Sequence, residues 1–304
     1  MAAQTDGAIS VRRFGAAEVA LCSAGRIFEQ HPRFPQGGGW RATAHFDTRG
    51  RVVHGLNTAV VRLGEAVVVI DPAFFEDAAE AAGYFDAEMA QTAEQALAAL
   101  GLTPGDVTHV VVTHAHRDHY WSALTRDAAG ADAARFARAE HLVPAADWAP
   151  PYEGALLGRA IGDGFDGMRE PDFVARLRRY LAPVERAGHL TLVDGDREVA
   201  PGISLVWTGG ETEGHVVVRV DGGGVGAAFW YLGDLIHFPA EVEQLAIGPT
   251  RLDAEQLAQL TAGRERVFAA MAAEEATAVY THAAFPGWGA VAQTAPGAWA
   301  WRWD

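Results

Sequence analysis

Seven consecutive residues, Thr113-His114-Ala115-His116-Arg117-Asp118-His119, pack three imidazoles and a carboxylate into a short stretch. Imidazole and carboxylate are the ligands that a borderline divalent metal such as zinc takes. In extended chain His114 and His116 project to the same side. If the chain then coils, Asp118 and His119 can turn toward a second nearby centre. One motif could therefore serve two adjacent metals. With 12 His among 304 residues, such a string is a poor candidate for coincidence.

The elements that must position this motif follow from the surrounding pattern. A β-branched run, Val107 to Val112, leads into it and reads as a buried strand ending at the motif. Ligands at the carboxyl ends of strands are the general arrangement in α/β sheets. Strand-like segments are also expected over 16–22, 59–70, 190–194, 203–207, 215–220 and 227–233, with 277–281 as the last strand. Helices are expected over 76–100, closed by Gly101, and over 253–273, with Asp253 as N-cap. This alternation reads as α/β. Two stretches fit no regular layer. Residues 25–55 carry Pro32, Pro35 and three successive glycines. Residues 144–186 set Trp148, Tyr152, Phe165 and Phe173 among Pro, Gly and charge. Long irregular segments are commonly functional, so these aromatics either line a cleft or anchor the loops.

HAHRDH resembles the H-x-H-x-D-H signature of the metallo-β-lactamase superfamily, and further markers follow in the family's order. Gly55-Leu56-Asn57-Thr58 and Ala66 to Asp71 resemble its opening hairpin. Gly209-Gly210-Glu211-Thr212-Glu213-Gly214-His215 stands where the family has T-P-G-H-T-P-G-H. Tyr231-Leu232-Gly233-Asp234 resembles the strand with the bridging Asp, and Val279-Tyr280-Thr281-His282 the one with the last ligand His. Gly233 to His237 and His282 to Gly287 look most like the branch of organophosphate hydrolases and acyl-homoserine lactonases.

The resemblance implies an αββα sandwich of two mixed β-sheets flanked by helices, as one domain over 1–304. The irregular segment 25–55 and the insertion 144–186 would lie near the cleft. It also implies two divalent metal ions, zinc by default. His114, His116 and the residue at 211 would hold one; Asp118, His119 and His282 the other; Asp234 would bridge. Such a pair generates hydroxide from water near neutral pH and polarises the substrate oxygen. Asp118 and His237 are the candidate catalytic residues, the latter standing where the lactonases carry a substrate-facing Tyr. Thr113 and Asp71 could orient ligand imidazoles.

The departure is Glu211, where the family has a ligand His. Glu211 coordinates through oxygen, or His215 swings in, or the enzyme works with one metal. Coordination by Glu211 is the reading preferred here, and it admits manganese or iron beside zinc. Two divalent cations, three carboxylates and one hydroxide cancel, where a histidine would leave one positive charge.

The remaining sequence narrows the partners. A net charge of −15 and a pI near 5.2 speak against nucleic acid and against an anionic membrane surface. No run is long enough to span a bilayer, Met1 to Ser10 lacks a basic region followed by an apolar run so that no signal peptide is expected, and the single Cys22 has no second cysteine to pair with in this sequence. A cytoplasmic protein is expected. Trp299, Trp301 and Trp303 alternate, giving an apolar face for internal packing or for a homodimer. His31, His45 and His54 read as loop histidines, and His109, His141 and His189 match no ligand position. The expected activity is hydrolysis of a small ester, lactone or related electrophile. The rivals are a zinc-dependent cyclase, a single-iron dioxygenase and a non-catalytic binding protein with a degenerate site.

Overall fold

A strand with an unbroken apolar run, such as Val19 to Cys22, needs cover on both faces. The strand Ala17–Glu29 shows how this chain supplies it. Val19 and Leu21 join one core cluster, and the alternating Ala20 and Cys22 join another. Val111 divides from Val110 and Val112 in the same way. The first cluster lies between two sheets. The second lies between the first sheet and helices that carry Ala93, Ala96 and Leu97, and Leu177, Tyr180 and Leu181. A computed structural model of the chain describes residues 4–29, 34, 39–75, 86–148, 170–224 and 226–304.

The first sheet runs in the order Gln4–Asp6, Ile9–Phe14, Ala17–Glu29, Val52–Leu63, Ala66–Ile70, His109–Val111, Glu140–Pro144, Leu190–Val193. Its early pairs are antiparallel, and those from Ala66–Ile70 onward are parallel. The second sheet runs Arg197–Ala200, Ile203–Trp207, Val216–Asp221, Ala228–Tyr231, Thr277–Val279, Gly289–Ala295, Ala298–Trp303. It is antiparallel except where Ala228–Tyr231 meets Thr277–Val279. That parallel pair needs a crossover, which the helix Ala254–Ala273 provides. Both sheets are therefore mixed, and helices flank the pair as the resemblance implies.

Several expected elements are redrawn. Within the described part of the helix expected over 76–100, Ala93–Ala99 is helical and Asp86–Met89 is instead a strand paired with Ala17–Glu29. Thr92 and Gln95 form a reciprocal cap that fixes the helix start. Residues 76–85 lie outside the described residues. The segment 144–186 is not irregular throughout, since Ala145–Trp148 and Glu170–Arg186 are helical and Trp148 packs on the core. Tyr152 and Phe165 lie outside the described residues, as does His31. The segment 25–55 is shortened from both ends by the strands ending at Glu29 and beginning at Val52. Thr277–Val279 is not the last strand. The tryptophan alternation belongs to the added hairpin, with Trp299 and Trp301 buried and Trp303 49% exposed. No helix among the described residues is long and apolar enough to cross a membrane.

Candidate metal centre

The strand His109–Val111 delivers Thr113 to a buried carboxylate, Asp71, at the end of the neighbouring strand. The Thr113 amide donates to Asp71 Oδ1 at 2.7 Å and its hydroxyl to Oδ2 at 2.8 Å. The same Oδ2 lies 2.7 Å from His119 Nδ1. Asp71 adopts a left-handed φ of 50°, uncommon for a non-glycine residue, and its backbone amide is held by Val111 O. The turn aims the carboxylate back at the histidine motif, so that His119 Nε2 points inward. Asp71 thus orients an imidazole, and Thr113 Oγ1 lies 3.1 Å from His114 Nδ1.

The Gly55 to Thr58 segment orients the opposite wall. Gly55 O lies 3.0 Å from His282 Nδ1. A side chain at Gly55 would put its Cβ 2.0 Å from Ala283 O, so only glycine permits this approach. Asn57 Nδ2 donates to the carbonyls of Thr281 and Ala283 at 2.9 and 2.8 Å, pinning the loop that carries His282.

The inward-facing atoms converge. His114 Nε2 and His116 Nδ1 lie 2.7 Å apart. Glu211 Oε1 is 3.7 Å from His116 Nδ1, and Asp234 Oδ2 is 3.7 Å from His114 Nε2. On the other side His282 Nε2 lies 3.6 Å from Asp118 Oδ2, and His119 Nε2 3.9 Å from that same oxygen. Asp234 stands between the groups, with Oδ1 3.5 Å from His119 Nε2 and Oδ2 3.3 Å from His282 Nε2. His114, His116, Glu211 and Asp234 form one set that could hold a cation; Asp118, His119 and His282 form another. His237 joins Asp234 and His282 in a third, its Nε2 3.3 Å from Asp234 Oδ2.

In the first two sets three buried atoms, His119 Nε2, Asp234 Oδ1 and Glu211 Oε2, have no hydrogen-bond partner. A buried polar atom left unpaired is costly, and all three belong to donor types that suit divalent zinc, manganese or iron. The residues therefore fit the cations that the sequence implies. The local charge points the same way. Burial pulls the His119 ring down, but Asp234, Asp71 and Asp118 outweigh it and raise it well above its ordinary value. Burial likewise opposes charge on His237, yet Asp234 and Glu241 lift it to about 9. Burial pushes Asp234 up, and His282, His119 and His237 hold it well below the usual carboxylate range.

His215 lies beside this group without facing it. Its Nδ1 is 2.6 Å from Thr208 Oγ1, and its Nε2 accepts from the Asp234 amide at 3.1 Å. Burial pushes the ring down to about 3, so it stays neutral. Both ring nitrogens are engaged, Nδ1 with Thr208 and Nε2 with the Asp234 amide.

Other residues of the centre carry no local signal in the sequence. Asp147 is buried and accepts from Ala115 N at 2.8 Å, Thr212 Oγ1 at 2.8 Å and Gly214 N at 2.9 Å. It ties the histidine motif to the Glu211 loop, and a Cβ at Gly214 would meet its Oδ1 at 2.7 Å. Arg251 forms an ion pair with Glu211 Oε1. Glu241 accepts from the amides of His237 and Phe238 at 2.6 and 2.8 Å and is paired with buried Arg264. His54, read as a loop histidine, is instead buried on the strand Val52–Leu63, edge-on to His282 at 5.3 Å. His45 is exposed, and none of His45, His54, His109, His141 or His189 enters the ligand sets found among the described residues.

Comparison with known proteins agrees with the fold. A hydrolase of the beta-lactamase superfamily, AbOPH, superposes with a TM-score of 0.75 at 17% identity, covering 99% of each chain. AidC, a dizinc quorum-quenching lactonase, superposes at 0.76 with 18% identity over 98% of this chain and 99% of its own. A probable metal-dependent hydrolase from Staphylococcus aureus gives 0.73 at 17% identity, over 96% and 99%. No curated protein matches the sequence itself. The family model of the metallo-beta-lactamase superfamily matches residues 52–257. That span takes in the histidine motif, Glu211 and Asp234, and on it the chain belongs to the metallo-beta-lactamase superfamily.

Proposed function

We propose that this protein is a two-metal hydrolase of small esters, lactones or related electrophiles. One observation carries the reading: two sets of ligand atoms converge on either side of Asp234 and leave buried, unpaired His119 and Asp234 atoms between them. His114, His116 and Glu211 would hold one cation, Asp118, His119 and His282 the other, with Asp234 shared. Divalent cations bound there supply Lewis acidity to a substrate oxygen and make water acidic enough to attack near neutral pH. The chain's own part is placement and proton handling. Asp71, Thr113 and Gly55 fix the rings of His119, His114 and His282. Asp118, whose Oδ2 faces inward between His119 and His282, is placed to take a proton from attacking water. His237 is placed to give a proton to the departing alkoxide as the carbon–oxygen bond breaks. Phe34 lies edge-on to the His237 ring at 5.3 Å, giving that side of the site an apolar wall. A small, fairly apolar substrate suits such a wall, and a net charge of −15 disfavours nucleic acid.

The test is metal content with activity. Protein purified without added metal should carry close to two divalent ions, and chelator should abolish turnover of aryl esters or lactones. Asp234→Ala should lose metal and activity together. A metal-replete, fully active Asp234→Ala protein would sink the two-metal reading. One iron per chain would favour the dioxygenase, and turnover of oligonucleotides alone would overturn the substrate class.

A further inference from the structure

Glu211 is a buried acid where an imidazole would suffice, and a second unexpected charge lies against it. Arg251 pairs with Glu211 Oε1, the oxygen that also stands 3.7 Å from His116 Nδ1. Both residues are anchored to the helix Ala254–Ala273. Asp253 caps that helix through the amides of Glu255 and Gln256, which fixes the turn carrying Arg251. A Cβ at Gly210 would lie 2.5 Å from Leu260 Cα, so the backbone before Glu211 sits directly on the same helix. The pair is built in, with Glu211 3% exposed.

We infer that Arg251 makes the two metal positions unequal. The guanidinium occupies Oε1, the Glu211 oxygen that faces His116, and competes there with a cation. Its positive charge sits close to the position of His114, His116 and Glu211, where burial limits screening. A divalent cation there binds weakly and exchanges. At the position of Asp118, His119 and His282 no arginine pairs with a ligand carboxylate among the described residues, and a cation binds tightly. This inference rests on the two-metal reading.

Chelator-stripped protein titrated with Mn²⁺ tests it, with free Mn²⁺ counted by electron paramagnetic resonance and heats read by calorimetry. The unaltered protein should fill in two steps at least tenfold apart. His116→Ala should remove the weak step and His282→Ala the tight one. Arg251→Gln should tighten the weak step about tenfold, while Arg251→Lys, which keeps the charge, should leave it within threefold of the parent. Circular dichroism confirms that each variant folds. If Arg251→Gln weakens the second step or leaves it unchanged, Arg251 organises Glu211 rather than opposing the metal, and the inference fails. Two steps of equal affinity in the unaltered protein also refute it without any variant, while the two-metal reading survives. Absence of a tight step in the unaltered protein overturns the two-metal reading itself.

Discussion

The buried pair behind His237 allows a prediction whose size follows from its surroundings. Glu241 and Arg264 are both fully buried. Arg264 Nε donates to Leu235 O at 2.7 Å, Nη1 to Leu245 O at 2.8 Å and to Ile247 O, and Nη2 to Glu241. Burial pushes Glu241 up, but Arg264 and then His237 hold it below its ordinary value of 4.5. Its contribution to stability is therefore present above that value and is lost as pH falls through the lower value of the folded state. Arg264→Met strands the carboxylate, and its escape is to take a proton. At pH 7 that costs roughly 3.4 kcal/mol for a group of ordinary value 4.5, at 1.36 kcal/mol per pH unit. The three carbonyls that lose a donor add about 1 kcal/mol each at most. The expected loss is about 4–6 kcal/mol at pH 7. The proton component shrinks by roughly 2.7 kcal/mol at pH 5. Urea unfolding of the chelated protein at the two pH values measures this. Adding Glu241→Gln to Arg264→Met should erase the pH dependence. A penalty equal at both pH values, or below about 1 kcal/mol at pH 7, would refute the argument.

Metal counting on three variants in one buffer addresses the ligand at 211. Glu211→Ala should lower occupancy beside His114 and His116, Glu211→His should keep two metals and shift preference toward zinc, and His215→Ala should change metal content least; the reverse pattern for Glu211→Ala and His215→Ala would mean the wrong ligand has been chosen. Asp147 supplies a pH prediction. Burial raises its carboxyl to about 6, so the folded state favours the protonated form and stability falls as pH rises from about 4 through about 6, by roughly 3 kcal/mol. Asp147→Asn should flatten that part of the stability–pH curve, and an unchanged curve would refute the assignment.

The part of the centre legible in the sequence is the part encoded by local spacing. His114, His116, Asp118 and His119 lie within one turn of chain, and strand alternation plus a following coil is enough to divide them into two sets. The cap at Asp253 was legible for the same reason, because a capping box is a local event. Ala/Glu-rich composition misleads at Asp86–Met89, where a sheet partner in Ala17–Glu29 outweighs helix propensity. His54 misled because its burial comes from Phe238 and His282, far away in the chain. Asp147 and Arg251 were invisible, since neither has a distinctive neighbour. The only trace of Asp147 is Gly214, a glycine whose necessity appears once the carboxylate is seen against it.

Read alone, Glu211 suggests a damaged metal site, because it replaces a neutral imidazole with a charge in a buried place. A lone buried carboxylate would be expected to neutralise itself by taking a proton. Arg251 changes that account. The added negative charge and the added positive charge cancel, so the centre keeps the net charge that a histidine at 211 would give. His215 remains committed to the Asp234 amide, and Asp147 still ties the Glu211 loop to the histidine motif. A site losing its function has no reason to retain a buried counter-ion and the hydrogen bonds that aim its ligands. Glu211 and Arg251 therefore read as one coupled feature that alters how firmly one metal is held while leaving the rest of the centre in place.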